Sequence, residues 1–216
     1  MNQNGLKKFV YVHVPKCGGI TFRTAIDRLY GDLACNDESF KMHRRWGMVS
    51  FKYVPKYHAR YYPFGPVGSG GYRVIYGHFL AEKYKHLGWP IITIIRDPVE
   101  RVISNFSVWR RIGKDQKLHK MKKSWSIRTY AEHNTNVMTR MLGTSLDIFE
   151  FVGVQERYNE SIRKIGEILD LCFPTDVGIH NKTDKKVKVS QEDRKYIESL
   201  NKLDRQLYQN VIKRYF

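Results

Sequence analysis

Residues 9–22 read Phe9-Val10-Tyr11-Val12-His13-Val14-Pro15-Lys16-Cys17-Gly18-Gly19-Ile20-Thr21-Phe22. Phe9 to Val14 is rich in β-branched and aromatic residues, the composition of a strand, and Pro15 to Gly19 breaks that pattern. A helix-like stretch follows from Ile20 to Tyr30. A strand that opens through glycines into a helix is a natural phosphate site. The glycines let backbone approach an anion, the helix start offers unbonded N–H groups and a positive dipole end, and Lys16 adds a full charge. The Walker A spacing GxxxxGK[ST] is absent, and here the lysine precedes the glycines. Taken alone, the segment also fits an ordinary strand-to-helix turn with a surface lysine.

A second unit of the same kind lies downstream. Ile91 to Ile95 is a continuous apolar run suited to a strand buried on both faces. Asp97 then makes a good N-cap and Pro98 a good first helical residue. Val99, Val102, Ile103, Phe106, Trp109 and Ile112 recur at steps of three and four, one apolar stripe on a helix running to about residue 112. Arg101 and Ser104 lie off that stripe. Arg96 stands where the strand ends and Ser104 on the helix that follows, so a guanidinium fork and a hydroxyl are available for a second phosphate. An isolated Arg-Asp-Pro is equally compatible with an ion pair bracing the helix start.

Two more strands are expected at Arg73 to Tyr76 and Phe149 to Val154, and mostly helical structure at Glu156 to Leu171 and Gln191 to Phe216. Residues 31–70 mix aromatics and prolines without a clear period and read as irregular structure or short helices. Strands alternating with helices predict an α/β fold, a largely parallel sheet flanked by helices, in a single domain spanning residues 1–216.

Lys and Arg total 38 against 21 Asp and Glu, a formal net charge of +17, which calls for an anionic partner. Nucleic acid, anionic lipid, acidic polysaccharide and a multiply phosphorylated nucleotide all satisfy that demand. The three cysteines, Cys17, Cys35 and Cys172, are odd in number and far apart, which points to a reducing compartment. No apolar run near the start is long enough for a signal core or a membrane span, so the expected location is cytoplasmic. The histidines lack metal-ligand spacing such as HExxH, and no metal is expected.

Together, the segments at 13–22 and 95–104 resemble the PAPS-dependent carbohydrate sulfotransferases, in the branch of the heparan and uronosyl 2-O-sulfotransferases. The resemblance continues through Tyr76-Gly77-His78-Phe79, residues 136–142, 151–157 and 181–186, and Leu203 to Tyr208. It implies a P-loop-like sulfotransferase fold, 3'-phosphoadenosine 5'-phosphosulfate (PAPS) as donor, and the desulfated nucleotide PAP as product. It further implies that the loop Pro15-Lys16-Cys17-Gly18-Gly19 binds the 5'-phosphosulfate end, with Ile20, Thr21 and Phe22 completing the donor site, and that the segment from Arg96 to Ser104 binds the 3'-phosphate through those two residues. Lys182 and Thr183 match a late loop that closes over the nucleotide, although on composition they equally suit a solvated basic turn. Ile20 stands where many relatives carry a hydroxyl, and Tyr76 where heparan-acting relatives carry another histidine.

His78 matches the family's catalytic histidine. It follows a strand at the sheet end where α/β proteins place ligands, and a neutral imidazole is suited to take the proton of an attacking alcohol. Lys16 then stabilises charge on the leaving phosphate. The expected acceptor is a hydroxyl of a glycan, an anionic one if the basic segment from Arg110 to Lys123 flanks the cleft; a solvated basic loop accounts for that segment as well. Two other classes fit parts of the sequence: a nucleotide-dependent kinase on a related fold, which the missing Walker A loop disfavours, and a non-catalytic binder of nucleic acid or acidic polymer.

Overall fold

In the computed structural model, which describes residues 5–37, 71–112, 125–173 and 187–216, residues 9–22 form β1 (Phe9–Val12), a loop, and the start of α1 (Gly19–Tyr30). Among the described residues β1 is the central strand of a five-stranded sheet of order β2-β3-β1-β4-β5. The others are β2 (Ala34–Asp37), β3 (Val74–Gly77), β4 (Ile91–Ile95) and β5 (Phe151–Val154). Every pairing is parallel, with Tyr11 opposite both Tyr76 and Ile92, and Ile94 opposite Gly153. The expected α/β architecture is therefore present.

Helices α1 and α5 (Tyr158–Leu169) cover one face of the sheet; α4 (Val137–Leu142) and α7 (Lys202–Tyr215) cover the other. Along β1 the side chains alternate between these layers. Phe9 and Tyr11 pack with Phe22, Ile26 and Ile165, while Val10 and Val12 pack with Met138, Leu207 and Val211. Two buried faces explain why the strand reads as a continuous apolar run. A third cluster stands apart: Val99, Val102, Ile103 and Phe106 of α2 (Pro98–Ile112) pack with Tyr130 and Ala131 of α3 (Ile127–Glu132) and Ile197 of α6 (Gln191–Leu200). The apolar stripe of α2 thus faces helices, which frees the opposite side of α2 for the end of the sheet.

One expectation needs correction and others gain detail. Within the stretch without clear period, Ala34–Asp37 forms edge strand β2, recruited by parallel pairing with β3 despite a composition poor in strand formers. The helical reading of Gln191 to Phe216 is interrupted at Asn201, whose side-chain amide donates to the Ile197 carbonyl at 2.8 Å while its Oδ1 accepts from Asn136 N at 2.9 Å. Arg101 and Ser104, off the apolar stripe, are nonetheless buried. Asp97 caps α2 as expected, its Oδ1 accepting from Glu100 N at 3.0 Å.

Candidate active site

The chain leaves β1 toward β2 on one side and leaves β4 toward β5 on the other, so a crevice opens at the carboxyl ends of β1 and β4. The loop after β1 enters it with Lys16 at φ 70° and Gly18 at φ 82°, both left-handed. Gly18 tolerates this conformation; Lys16 is held in it. Helix α1 then begins with no side-chain cap and no acidic residue in its first turn, leaving its N–H groups and positive dipole end turned to the crevice. The second glycine answers a different demand. A Cβ on Gly19 would lie 2.1 Å from Cδ2 of His13 and 2.8 Å from the Tyr11 hydroxyl, so the glycine makes room for protein side chains.

His13 links that loop to β3. Its carbonyl oxygen lies 2.6 Å from Nδ1 of His78, and the two imidazoles stack with centroids 4.5 Å apart. A carbonyl only accepts, so Nδ1 of His78 is the donor in this bond, and in the neutral ring the lone pair then falls on Nε2. Burial, reinforced by His78, Arg23 and Lys16, lowers the pKa of His13 to about 3, which makes His13 a neutral and very weak base.

Arg96, at the end of β4, donates from Nη1 to the Lys16 carbonyl at 3.3 Å, joining two segments 80 residues apart. Its remaining nitrogens face carboxylates at long range, Glu100 at 3.7 Å and Glu156 at 3.9 Å, and Nε is buried without a hydrogen-bond acceptor. Those carboxylates have other donors: Arg194 binds Glu100 at 2.9 Å, and Asp97 N binds Glu156 at 3.2 Å. Ser104 is buried two turns further along α2. The geometry offers an anion a guanidinium that is braced but only weakly neutralised.

The other expected site residues divide by direction. Cys17 is fully buried, with its thiol in the core and pushed up to about 12 by burial, so only its backbone is available to a ligand. Phe22 likewise packs edge-on against Tyr11 at 4.7 Å and against Phe173. Thr21 is buried and shares a hydrogen bond with Tyr158, whose phenol burial pushes up to about 12. Ile20 is 45% exposed at the mouth of the loop. Lys182, Thr183 and the basic stretch beyond Arg110 lie outside the described residues. Tyr76 does not present a second base; its hydroxyl donates to Asp27 at 2.5 Å, under the Arg23 guanidinium. Sequence reasoning missed Gln155, which lies against Gly18, and the buried Arg101; a charged residue at a helix position beside a phosphate motif was the available signal for Arg101. Among the described residues, no group of three or more His, Cys, Asp or Glu is placed to hold a metal, and no helix is long and apolar enough to cross a membrane.

A sequence model described as the sulfotransferase family matches residues 1–140. The chain belongs to that family. Among solved structures, this sulfotransferase is similar in fold to a sulfotransferase from Alicyclobacillus acidocaldarius, at 13% identity over 97% of each chain and a TM-score of 0.52. Mouse sulfotransferase SULT7A1 complexed with PAP also matches, at 14% identity over 96% of this chain and 85% of that one, with a TM-score of 0.39. No curated protein sequence matches the sulfotransferase.

Proposed function

We propose that this sulfotransferase, acting as one domain over residues 1–216, moves the sulfuryl group of PAPS to a hydroxyl of a carbohydrate by in-line displacement. The observation that supports the proposal is the bond from Arg96 to the Lys16 carbonyl, which joins the two segments read as anion-binding. Nε2 of His78 takes the acceptor's proton as its oxygen bonds to sulfur. The bond from sulfur to the 5'-phosphate breaks, and PAP leaves with charge stabilised by Lys16 and the amides at the start of α1. Arg96 and Ser104 hold the 3'-phosphate. Lys182 and Thr183 are assigned to the donor nucleotide by the family resemblance alone. Of the loop residues, Cys17, Gly18, Gly19 and Phe22 contribute backbone, Thr21 a hydroxyl, and Ile20 an apolar contact.

The fit to a doubly phosphorylated nucleotide rests on the buried, unaccepted Nε of Arg96 and on the uncapped α1. The net charge of +17 favours an anionic glycan as acceptor, and three free thiols suit a cytoplasmic setting. Transfer from labelled PAPS should be assayed against glycans and small alcohols, with PAP, ADP and ATP compared by calorimetry. Tight binding of PAP and labelling of a glycan are the expected results. Preference for ATP over PAP would move the chain to the kinase reading, and exclusive labelling of small neutral alcohols would remove the carbohydrate assignment.

A further inference from the structure

Arg101 is 0% exposed and stands first among the largest fully buried side chains. Nη2 donates to the Asn134 carbonyl at 3.1 Å, whereas Nε and Nη1 are buried with no hydrogen-bond acceptor. Among the described residues no carboxylate forms a close ion pair with it. The buried carboxylate of this neighbourhood, Asp204, is committed elsewhere: it accepts from Met138 N at 3.1 Å, Thr139 N at 2.7 Å and the Thr139 hydroxyl at 2.8 Å. Arg101 and Arg96 both act electrostatically on Cys17, at the centre of the loop, with Arg101 the stronger influence. The charge thus lies behind the phosphate-facing loop, in surroundings that screen it poorly.

A buried guanidinium without a counter-ion is costly, and replacing such a group by an apolar side chain of similar size is often neutral or stabilising. We propose that Arg101 is a donor-positioning residue whose counter-ion is the bound nucleotide itself: its buried charge acts through the Pro15–Gly19 loop on the donor's phosphates without touching them. This inference rests on the nucleotide reading given above. It separates two quantities that a purely structural arginine would move together, since losing the charge should weaken nucleotide binding while sparing or raising the stability of the nucleotide-free protein.

The test uses the full chain with Arg101→Met, Arg101→Gln and Arg101→Lys, measuring PAP affinity by calorimetry and nucleotide-free stability by denaturant unfolding. Arg101→Met is expected to bind PAP about tenfold or more weakly, the effect of a poorly screened charge at short range, with an unfolding midpoint equal to or above the parent's. Arg101→Gln should lose similar affinity, and Arg101→Lys, which keeps the charge, should recover most of it. Unchanged PAP affinity in Arg101→Met overturns the proposal. So does a Met variant that fails to fold or unfolds more easily than the parent, or a Lys variant as weak as the Gln variant. Failure of the parent itself to bind PAP would instead strike the nucleotide reading, and with it the counter-ion assigned here.

Discussion

His78 donates its Nδ1 proton to the carbonyl oxygen of His13 at 2.6 Å while the two rings stack at 4.5 Å, so the residue that follows β1 fixes which nitrogen of the residue that follows β3 is the donor. Because the acceptor is backbone, this orientation survives changes to the His13 side chain. The proton-accepting nitrogen is therefore set by the sheet register.

His78→Ala should lower turnover by about 10² to 10⁴, the range for removing a positioned general base, with PAP affinity nearly unchanged. Steady-state rates on the identified acceptor and calorimetry with PAP give the two readings. Full activity in this variant would take His78 out of the mechanism.

Lys16 and Arg96 should separate kinetically. Lys16→Ala is expected to reduce kcat more than donor affinity, since its charge matters most as the leaving oxygen becomes anionic. Arg96→Ala should chiefly raise the KM for PAPS. Wild-type turnover of Lys16→Ala at saturating donor would refute its role at the leaving group.

His13 gives the fold an acid sensitivity whose sign is fixed. Folded His13 stays neutral down to about pH 3, whereas the unfolded residue takes up a proton near pH 6.5. Between these values the unfolded state binds more protons, so the stabilisation is complete above pH 6.5 and declines on acidification by up to about 1.4 kcal/mol per pH unit. Urea unfolding of the parent and of His13→Gln at several pH values between 7 and 4 should show a shallower dependence for the variant. Parallel curves would contradict the assignment.

Gly19→Ala should destabilise the protein by roughly 1–3 kcal/mol, the usual range for overpacking, because the new methyl meets the His13 ring at 2.1 Å. His13→Ala in the same chain should recover part of that loss. A double variant whose cost equals the sum of the single costs would show that the contact is not the cause.

Asp204→Ala strips three buried donors at the start of α4 of their acceptor. A loss of roughly 2–5 kcal/mol is expected, read from the denaturant midpoint. Asp204→Asn should fall between variant and parent; equal stability of all three would mean that water serves those donors as well.

Much of this architecture was legible because it is local. The apolar run of Ile91–Ile95 and the stripe of α2 are periodic signals, and Asp97 and Pro98 mark the junction chemically. Strand β2 was not legible, since Ala-Cys-Asn-Asp becomes a strand only when β3 offers it an edge. Nor was the break at Asn201, where the amphipathic pattern continues but the side chain is drawn away to α4. The site followed the same division. The two segments proposed to bind the donor carry their own motifs, but the Arg96 to Lys16 bond and the bond from His78 to His13 depend on which strand ends are neighbours. Arg101 escaped because a lone arginine on a helix is ordinarily solvated, whereas here it lies off the apolar stripe and is buried all the same, donating to the Asn134 carbonyl.

The sheet order also bears on how the molecule is made. Phe9 of β1 pairs with Val74 and Val10 with Ile91, so the central strand skips β2, the next strand in the chain among the described residues, and waits for β3 and β4. An emerging chain must keep β1, an apolar run with two open edges, from joining another chain until β3 and β4 have been translated. One face of the sheet stays only partly covered, by α4, still longer, until Leu207 and Val211 of α7 arrive. Such long-range pairing slows folding and prolongs the period of aggregation risk. Yield on expression should therefore depend on temperature and chaperone supply more steeply than the stability of the finished fold would indicate.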